Sequence, residues 1–118
     1  MSTIELYGIP NCDSVRKARN WLDASGCEYV FHDFKKEGVA RDTLQKWSDA
    51  VGWQVLLNRR GTTFRKLDES EKADLTHDAA IDLMLKHNTL IKRPVASQQD
   101  SETVLVGFTQ SEWENQFC

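Results

Sequence analysis

Near the start of the chain, a short strand pattern runs directly into a helical pattern. Ile4 to Tyr7 alternates apolar and polar residues, as a half-buried β-strand does. From about Asp13 to Ser25 apolar residues recur at helical spacing, and Gly26 stands where such a helix would end. Glu28 to Phe34 is rich in aromatic and β-branched residues and predicts a second strand. Together these patterns predict a βαβ unit.

A cysteine, Cys12, stands at the start of the predicted helix. Unpaired backbone N–H groups and the positive end of the helix dipole meet there, and both favour a thiolate over a thiol. The thiolate is the nucleophilic form of cysteine, so the position indicates redox or thiol-transfer chemistry. The alternative is a small core residue, because cysteine is among the most buried residue types.

Composition narrows the class of protein. The chain has 118 residues, 40% of them apolar, which suits one globular domain. A net charge of -3 with interspersed signs favours neither nucleic acid nor an anionic membrane as a partner. The sequence shows no signal-peptide pattern and no apolar run of transmembrane length. We therefore expect a soluble, cytoplasmic protein.

The other cysteines and the histidines do not indicate a metal site or a disulfide framework. The chain has an odd number of cysteines, namely Cys12, Cys27 and Cys118, and they lack the spacing of zinc ligands. The histidines show no metal-ligand spacing either. A helix between Cys12 and Cys27 would separate them by about 20 Å, whereas a disulfide tolerates about 7 Å between Cα atoms. Cys27 is expected in the core, and a resolving role for Cys118 stays open.

The middle of the chain is predicted to be helical. Helical patterns cover Asp42 to Val51 and Thr76 to His87, with Thr76 as the N-cap of the second, and Trp53 to Leu57 predicts a short turn. Asn58 to Thr63 is a polar loop, and Asp68 to Asp74 a solvated helix or loop. This predicts a helical insertion at about residues 37–87 in a single domain spanning residues 1–118.

The last third returns to strands at Pro94 to Ala96 and Thr103 to Val106. A final helix is predicted by a capping box of Thr109 with Glu112, and by a hydrophobic staple of Phe108 with Trp113. The resulting order is β-α-β, a helical insertion, then β-β-α. It predicts an α/β fold with a thioredoxin-like, glutaredoxin-type core about 1–36 and 88–118.

Two basic segments are candidate binding sites. In thioredoxin-like folds a cis-proline before this hairpin packs beside the active cysteine, and Pro94 has that position. Arg93 would then bring a fixed positive charge to Cys12 that lowers its pKa and binds an anion. Arg59 and Arg60 could hold an oxyanion or a carboxylate. The alternative for all three arginines is an ordinary solvated surface.

Together these residues resemble the arsenate reductase (ArsC)/Spx family, and within it the small YffB-like branch. The resemblance rests on Tyr7 to Arg19 with its Gly8-Ile9-Pro10-Asn11-Cys12-Asp13 motif, on Leu56 to Leu67, and on Ala80 to Pro94. It implies a thioredoxin-like fold, with Cys12 as nucleophile.

The sequence also departs from two branches of that family. Glutaredoxin-coupled arsenate reductases carry a histidine at the position of Gly8 and three oxyanion-binding arginines. Arg93 aligns with one of them, Asn58 with the second, and the third falls near Gly107. Many Spx regulators, which bind RNA polymerase, have a CxxC pair whose second position here is Val15.

The resulting hypothesis is a glutathione-dependent thiol/disulfide reductase with a single nucleophilic cysteine, Cys12. Its candidate residues for binding the thiol or substrate are Arg93, Pro94, Arg59, Arg60, Arg16 and Asn11. No bound cofactor or metal is expected, glutathione is the expected co-substrate, and glutaredoxin is a candidate partner. The alternatives are a glutaredoxin-coupled arsenate reductase that binds an oxyanion, and a non-enzymatic Spx-like regulator that binds RNA polymerase.

Overall fold

The computed structural model describes residues 3–73, 75–98 and 103–117. Its elements are, in chain order, β1 (Ile4–Gly8), α1 (Asp13–Ser25), β2 (Tyr29–Asp33), α2 (Phe34–Glu37), α3 (Arg41–Val51), α4 (Trp53–Leu56), α5 (Thr62–Arg65), α6 (Glu69–Lys72), α7 (His77–Lys86), a 3-10 turn (Asn88–Leu90), β3 (Val95–Gln98), β4 (Val104–Val106) and α8 (Gln110–Gln116). The chain divides into two compact units, one of Met1–Glu37 with Arg93–Cys118, the other of Gly38–Lys92.

The first unit holds a four-stranded mixed sheet in the order β2-β1-β3-β4. Strand β1 pairs parallel with β2 and antiparallel with β3, and β3 pairs antiparallel with β4. With α1 between β1 and β2, and α8 after β4, this is the predicted β-α-β and β-β-α order. The predicted bounds of α1 are confirmed, and the helix ends at Gly26, whose φ of 73° is readily adopted by glycine.

Alternation along β1 decides which face of the sheet is buried. Ile4, Leu6 and Gly8 are buried, whereas Glu5 and Tyr7 on the opposite face are only partly covered. The buried face belongs to a core cluster comprising Ile4, Leu6, Ala18, Leu22, Cys27, Ala96, Trp113 and Phe117. At its centre the indole of Trp113 makes edge-to-face contacts with Trp21, Phe108 and Phe117, at ring-centroid distances of 6.2, 5.1 and 5.4 Å.

One predicted boundary and one predicted motif in this unit are wrong. Strand β2 stops at Asp33, because its carboxylate accepts the N–H groups of Lys35 and Lys36 at 3.1 and 3.2 Å and starts α2 at Phe34. The Phe108–Trp113 staple is confirmed. The capping box beside it is wrong, because the Thr109 side chain makes no cap hydrogen bond.

The second unit is helical. The predicted N-cap Thr76 is confirmed: its hydroxyl accepts the Ala79 N–H at 3.3 Å. The segment from Asp68 resolves into α6, which begins with a capping box of Asp68 and Glu71. The loop predicted over Asn58 to Thr63 is wrong at its end, because Thr62 begins α5.

Residues 88–92, predicted with the sheet, belong to the second unit in the structure. The reason is a local pairing: the Asn58 N–H donates to the Leu90 carbonyl at 2.7 Å, and the Lys92 N–H to the Leu56 carbonyl at 2.8 Å. A β-bridge joins Leu57 to Ile91 between these bonds. In the described part of the chain, no helix has the length and apolar character needed to cross a membrane.

Candidate active site at Cys12

Cys12 ends the turn that leads from β1 into α1. Its N–H donates to the Ile9 carbonyl at 3.3 Å, and its own carbonyl accepts the Arg16 N–H at 2.9 Å as the first bond of the helix. Cys12 is the N-cap residue, with an extended backbone at φ −95° and ψ 128°. Its side chain is half-buried and makes no cap hydrogen bond as a thiol. The sulfur therefore stands at the N-terminus of a helix of 13 residues.

The surroundings of this sulfur favour the anion. Partial burial is the largest single effect on the pKa of Cys12, and it raises that pKa. The Val15 N–H, the Arg93 side chain and the Ser14 N–H all act as donors to the thiolate, and the charge of Arg93 adds to them. These effects outweigh burial, so the pKa of Cys12 lies below its ordinary value. Cys12 is thus poised as a nucleophile.

Sheet register brings Arg93 to this sulfur. Tyr7 in β1 lies opposite Val95 in the antiparallel strand β3, so residues just before Val95 emerge beside the turn that follows Gly8. The Arg93–Pro94 peptide bond is cis, as predicted. Pro94 is buried, and its carbonyl accepts the Gly107 N–H at 2.8 Å. Arg93 is therefore held at its position by the start of the hairpin.

Of the remaining predicted binding residues, Arg16 and Asn11 belong to the same unit as Cys12, and Arg59 and Arg60 belong to the second unit. Arg16 is exposed and pairs with the Asp13 carboxylate, so its charge is shared with that carboxylate. Asn11 is exposed in the turn before Cys12. In the second unit, the Arg59 guanidinium lies 5.5 Å from the Trp53 ring centroid, and the Arg60 N–H donates to the Asn58 side chain at 3.2 Å. A role for Arg59 or Arg60 together with Cys12 stays a prediction.

Gly8 and Val15 pack against each other. A Cβ atom built on Gly8 would lie 2.6 Å from Cγ2 of Val15, closer than real Cβ atoms approach a neighbour. Val15 is fully buried and occupies the space that a side chain at Gly8 would need. The sequence did not predict this contact, because Gly8 belongs to the strand pattern and Val15, seven residues further along, belongs to the helical pattern.

The three cysteines have different surroundings. Cys12 is the free cysteine of the part of the chain that the structure describes. Cys27 lies in the core, as predicted, with 7% of its surface exposed. It is also disulfide-bonded, which the sequence analysis did not predict. Cys118 lies outside the described residues, so its resolving role stays a prediction.

A second polar cluster lies on the other face of the sheet. His32 in β2 contacts the Glu5 carboxylate through Nε2 and lies 3.5 Å from the Glu37 carboxylate through Nδ1. The Tyr7 ring stacks on His32 with a centroid distance of 4.6 Å. Burial and the charges of Glu5 and Glu37 raise the pKa of Tyr7. Among the described residues, no group of at least three acidic, histidine or cysteine residues could hold a metal ion.

The fold is shared with known proteins. A family model described as the ArsC family matches residues 7–116. The chain is 39% identical to an uncharacterized protein of Haemophilus influenzae over 98% of this chain and 99% of the relative. A solved structure of a protein named YffB has a TM-score of 0.93 at 47% identity, covering 98% of this chain and 100% of that one. An arsenate reductase (ArsC) related protein from Brucella melitensis has a TM-score of 0.75 at 42% identity, with 97% and 93% covered.

Two further similarities are more distant. The global transcriptional regulator Spx of Streptococcus pyogenes is 29% identical over 92% of this chain and 81% of its own length. A glutaredoxin from Archaeoglobus fulgidus shares only the fold, with a TM-score of 0.51 at 10% identity over 98% of this chain and 85% of that one. The thioredoxin-like fold class is therefore confirmed. Because the family model spans nearly the whole chain, including Cys12 and Arg93, the chain belongs to the ArsC family.

Proposed function

We propose that this protein is a glutathione-dependent thiol/disulfide oxidoreductase with Cys12 as its nucleophile. The observation that carries the proposal is the placement of Cys12 at the N-terminus of α1, with Arg93 and the Val15 and Ser14 N–H groups as donors to its thiolate. These donors outweigh partial burial and lower the pKa of Cys12. Membership of the ArsC family, which includes proteins related to arsenate reductases, supports redox chemistry in general. Glutathione as the electron donor is our inference from the surroundings of Cys12.

The proposed cycle has two thiol–disulfide exchanges. The Cys12 thiolate attacks the glutathione sulfur of a mixed disulfide, which forms a Cys12–glutathione disulfide and releases the substrate thiolate, which takes up a proton. A second glutathione, as its thiolate, attacks the same glutathione sulfur. This step releases oxidised glutathione and returns Cys12 to the thiolate. Across the two steps, one glutathione thiol and one mixed disulfide are converted to the substrate thiol and oxidised glutathione, so the disulfide bond passes from the substrate–glutathione pair to a glutathione–glutathione pair.

An external thiol is needed because the described residues place no second free thiol beside Cys12. Cys12 is the free cysteine among them, and Val15 stands where a CxxC pair would have its second cysteine. Arg93 is the residue we assign to bind a carboxylate of glutathione, since a guanidinium pairs well with a carboxylate. Asn11 precedes Cys12 in the chain and Pro94 follows Arg93, and both are proposed to contribute to the same site. Arg59 or Arg60 are proposed to contribute from the second unit. We propose the cytoplasm as the compartment, because the cycle consumes a reduced thiol.

Arsenate reduction coupled to glutaredoxin is the nearest alternative. It would need several cations around the oxyanion, and Arg93 is the arginine that the structure brings to Cys12. Gly107, near the third expected arginine, has no side chain and adopts a φ of 77°. The position is thus strained for any other residue. We therefore rank arsenate below a glutathione disulfide as the substrate.

Similarity to Spx proteins over 92% of this chain favours one further candidate, a non-enzymatic regulator that binds RNA polymerase. In that case Cys12 would have no substrate. A pull-down with purified RNA polymerase distinguishes this candidate from the enzyme. Tight binding by a protein without reductase activity would support the regulator and contradict our proposal.

The deciding experiment measures reduction of a glutathionylated peptide by glutathione, with arsenate plus glutathione and glutaredoxin as a parallel substrate. The wild-type protein is expected to reduce the peptide, and Cys12→Ser to show only the uncatalysed rate. Cys118→Ser is the matched control, and its activity also tests whether Cys118 resolves the intermediate. Wild-type activity in Cys12→Ser would overturn the mechanism. Activity on arsenate but not on the glutathionylated peptide would show that arsenate, and not a glutathione disulfide, is the substrate.

A further inference from the structure

Gly8 and Val15 join the end of β1 to the first turn of α1. Gly8 is the last residue of the strand, and Val15 is the third residue of the helix. Both are buried, with none of the Val15 surface exposed. The two γ-carbons of Val15 lie 2.6 and 3.4 Å from the place that a Cβ on Gly8 would take. The helix can therefore come this close to the strand only because residue 8 has no side chain.

This contact spans the turn that carries Cys12. Two interactions hold this turn: the packing of Val15 against Gly8, and the hydrogen bond from the Cys12 N–H to the Ile9 carbonyl. The Val15 N–H and the Ser14 N–H are the backbone donors to the Cys12 sulfur. A shift of the first turn away from β1 would move both donors relative to that sulfur. The packing of an apolar side chain thus bears directly on the polar surroundings of the nucleophile.

We propose that Val15 is a positioning residue for Cys12: its side chain, packed in the space left by Gly8, holds the first helical turn where two backbone N–H groups face the sulfur. The inference rests on the proposed function, because it assigns Val15 a part in preparing the same nucleophile. It does not make Val15 a catalytic residue, since its side chain reaches neither a substrate nor the reacting sulfur.

The same contact links two departures from the relatives. A histidine at position 8 cannot be accommodated while Val15 fills the space, and the valine at position 15 removes the second cysteine of a CxxC pair. Val15 thus both excludes a side chain at position 8 and stands where a CxxC pair would have its second cysteine. In this protein, ionisation of Cys12 depends on backbone donors and Arg93, whereas a histidine at position 8 would supply a side-chain partner.

The test measures the rate of Cys12 alkylation by iodoacetamide against pH, in a Cys27→Ser, Cys118→Ser background in which Cys12 is the remaining cysteine. Val15→Ala keeps the backbone N–H but removes both γ-carbons. We expect its thiolate fraction at neutral pH to fall by about threefold, which corresponds to half a pKa unit. Val15→Ile, which keeps both γ-carbons, is expected to retain the wild-type profile.

Leu22→Ala is the matched control, because Leu22 is equally buried in the same helix but lies nearly three turns from Cys12. It should lower the melting temperature at least as much as Val15→Ala without shifting the alkylation profile. An unshifted profile in Val15→Ala would overturn the proposal and leave Val15 as an ordinary core residue. An equal shift in Leu22→Ala would overturn it as well.

Gly8→Ala keeps the test decisive if Val15→Ala folds poorly. Gly8→Ala alone should shift the alkylation profile toward higher pH, because its Cβ pushes Val15 and the helix start outward. Gly8→Ala combined with Val15→Ala removes the clash and should be more stable than the two single effects predict. Strict additivity would contradict the proposal. Since alkylation needs no disulfide substrate, a failed reductase assay would overturn the proposed function without affecting this result.

Discussion

The side chain of Arg93 hydrogen-bonds to that of Cys12, although the two residues come from opposite ends of the chain. Strand pairing creates this contact, since β3 runs antiparallel to β1 and starts beside the turn that carries the cysteine. The guanidinium both stabilises the thiolate and offers donors to an anionic substrate. Its two roles can be separated experimentally.

Arg93→Ala should weaken both the stabilisation of the Cys12 thiolate and the binding of an anionic substrate, whereas Arg93→Lys should weaken only substrate binding. Loss of a hydrogen bond to a charged group costs about 1.5–3 kcal/mol, so we expect kcat/KM for a glutathionylated peptide to fall at least tenfold in Arg93→Ala. Lysine keeps the charge but lacks the planar pair of donors. Arg93→Lys should therefore keep most of the lowered Cys12 pKa while KM rises.

Steady-state kinetics and the alkylation profile are measured on the same variants. Lys92→Ala is a suitable control, because Lys92 precedes Arg93 and is exposed. Unchanged kinetics and an unchanged alkylation profile in Arg93→Ala would remove Arg93 from the site.

The ionisation of Cys12 should make stability depend on pH. Because the pKa of Cys12 is lowered in the folded state, the unfolded chain binds more protons between the two pKa values. The stabilising contribution is therefore fully present above the unfolded pKa, and it is lost as pH falls through the folded pKa. The contribution of Cys12 is measured as the difference in unfolding free energy between wild type and Cys12→Ser, from urea unfolding at several pH values. A difference in unfolding free energy that stays constant, or falls as pH rises, would contradict the lowered pKa.

Trp113 should be the most costly single truncation in the sheet unit. It is fully buried among three other aromatic rings, and its indole N–H donates to the Gly107 carbonyl at 3.1 Å. Trp113→Ala should lose about 3–5 kcal/mol of unfolding free energy. Val55→Ala, at a side chain 43% exposed, should stay within about 0.5 kcal/mol of wild type. Similar losses in both variants would contradict the packing described for α8.

Tyr7 should ionise above the ordinary tyrosine range. Burial is the largest cause, followed by the charges of Glu5 and then Glu37, all of which disfavour the phenolate. Ultraviolet titration of wild type minus Tyr7→Phe reports this group. Glu5→Gln should lower its pKa more than Glu37→Gln, because Glu5 has the larger effect. A Tyr7 pKa that responds to neither change would show that the cluster around His32 is not arranged as described.

Local sequence patterns determined most of the secondary structure. The strand at Ile4, the full extent of α1 and the Thr76 cap were predicted because each depends on neighbours within one or two turns. The capping box predicted at Thr109 is wrong, because the cap there does not depend on neighbouring residues alone. A motif offers a hydrogen bond, but the packing of Trp113 and Phe108 sets the backbone, and the threonine side chain makes no cap bond there.

For the site, the sequence by itself placed Cys12 at a helix start, and resemblance to a family singled out Arg93 and Pro94. Tertiary structure decided which charges reach the sulfur: Arg93 does, through the antiparallel register of β3, whereas Arg16 pairs with Asp13. It also decided that Gly8 and Val15 share one space. Such facts depend on distances between chain segments, which no periodicity within a single segment records.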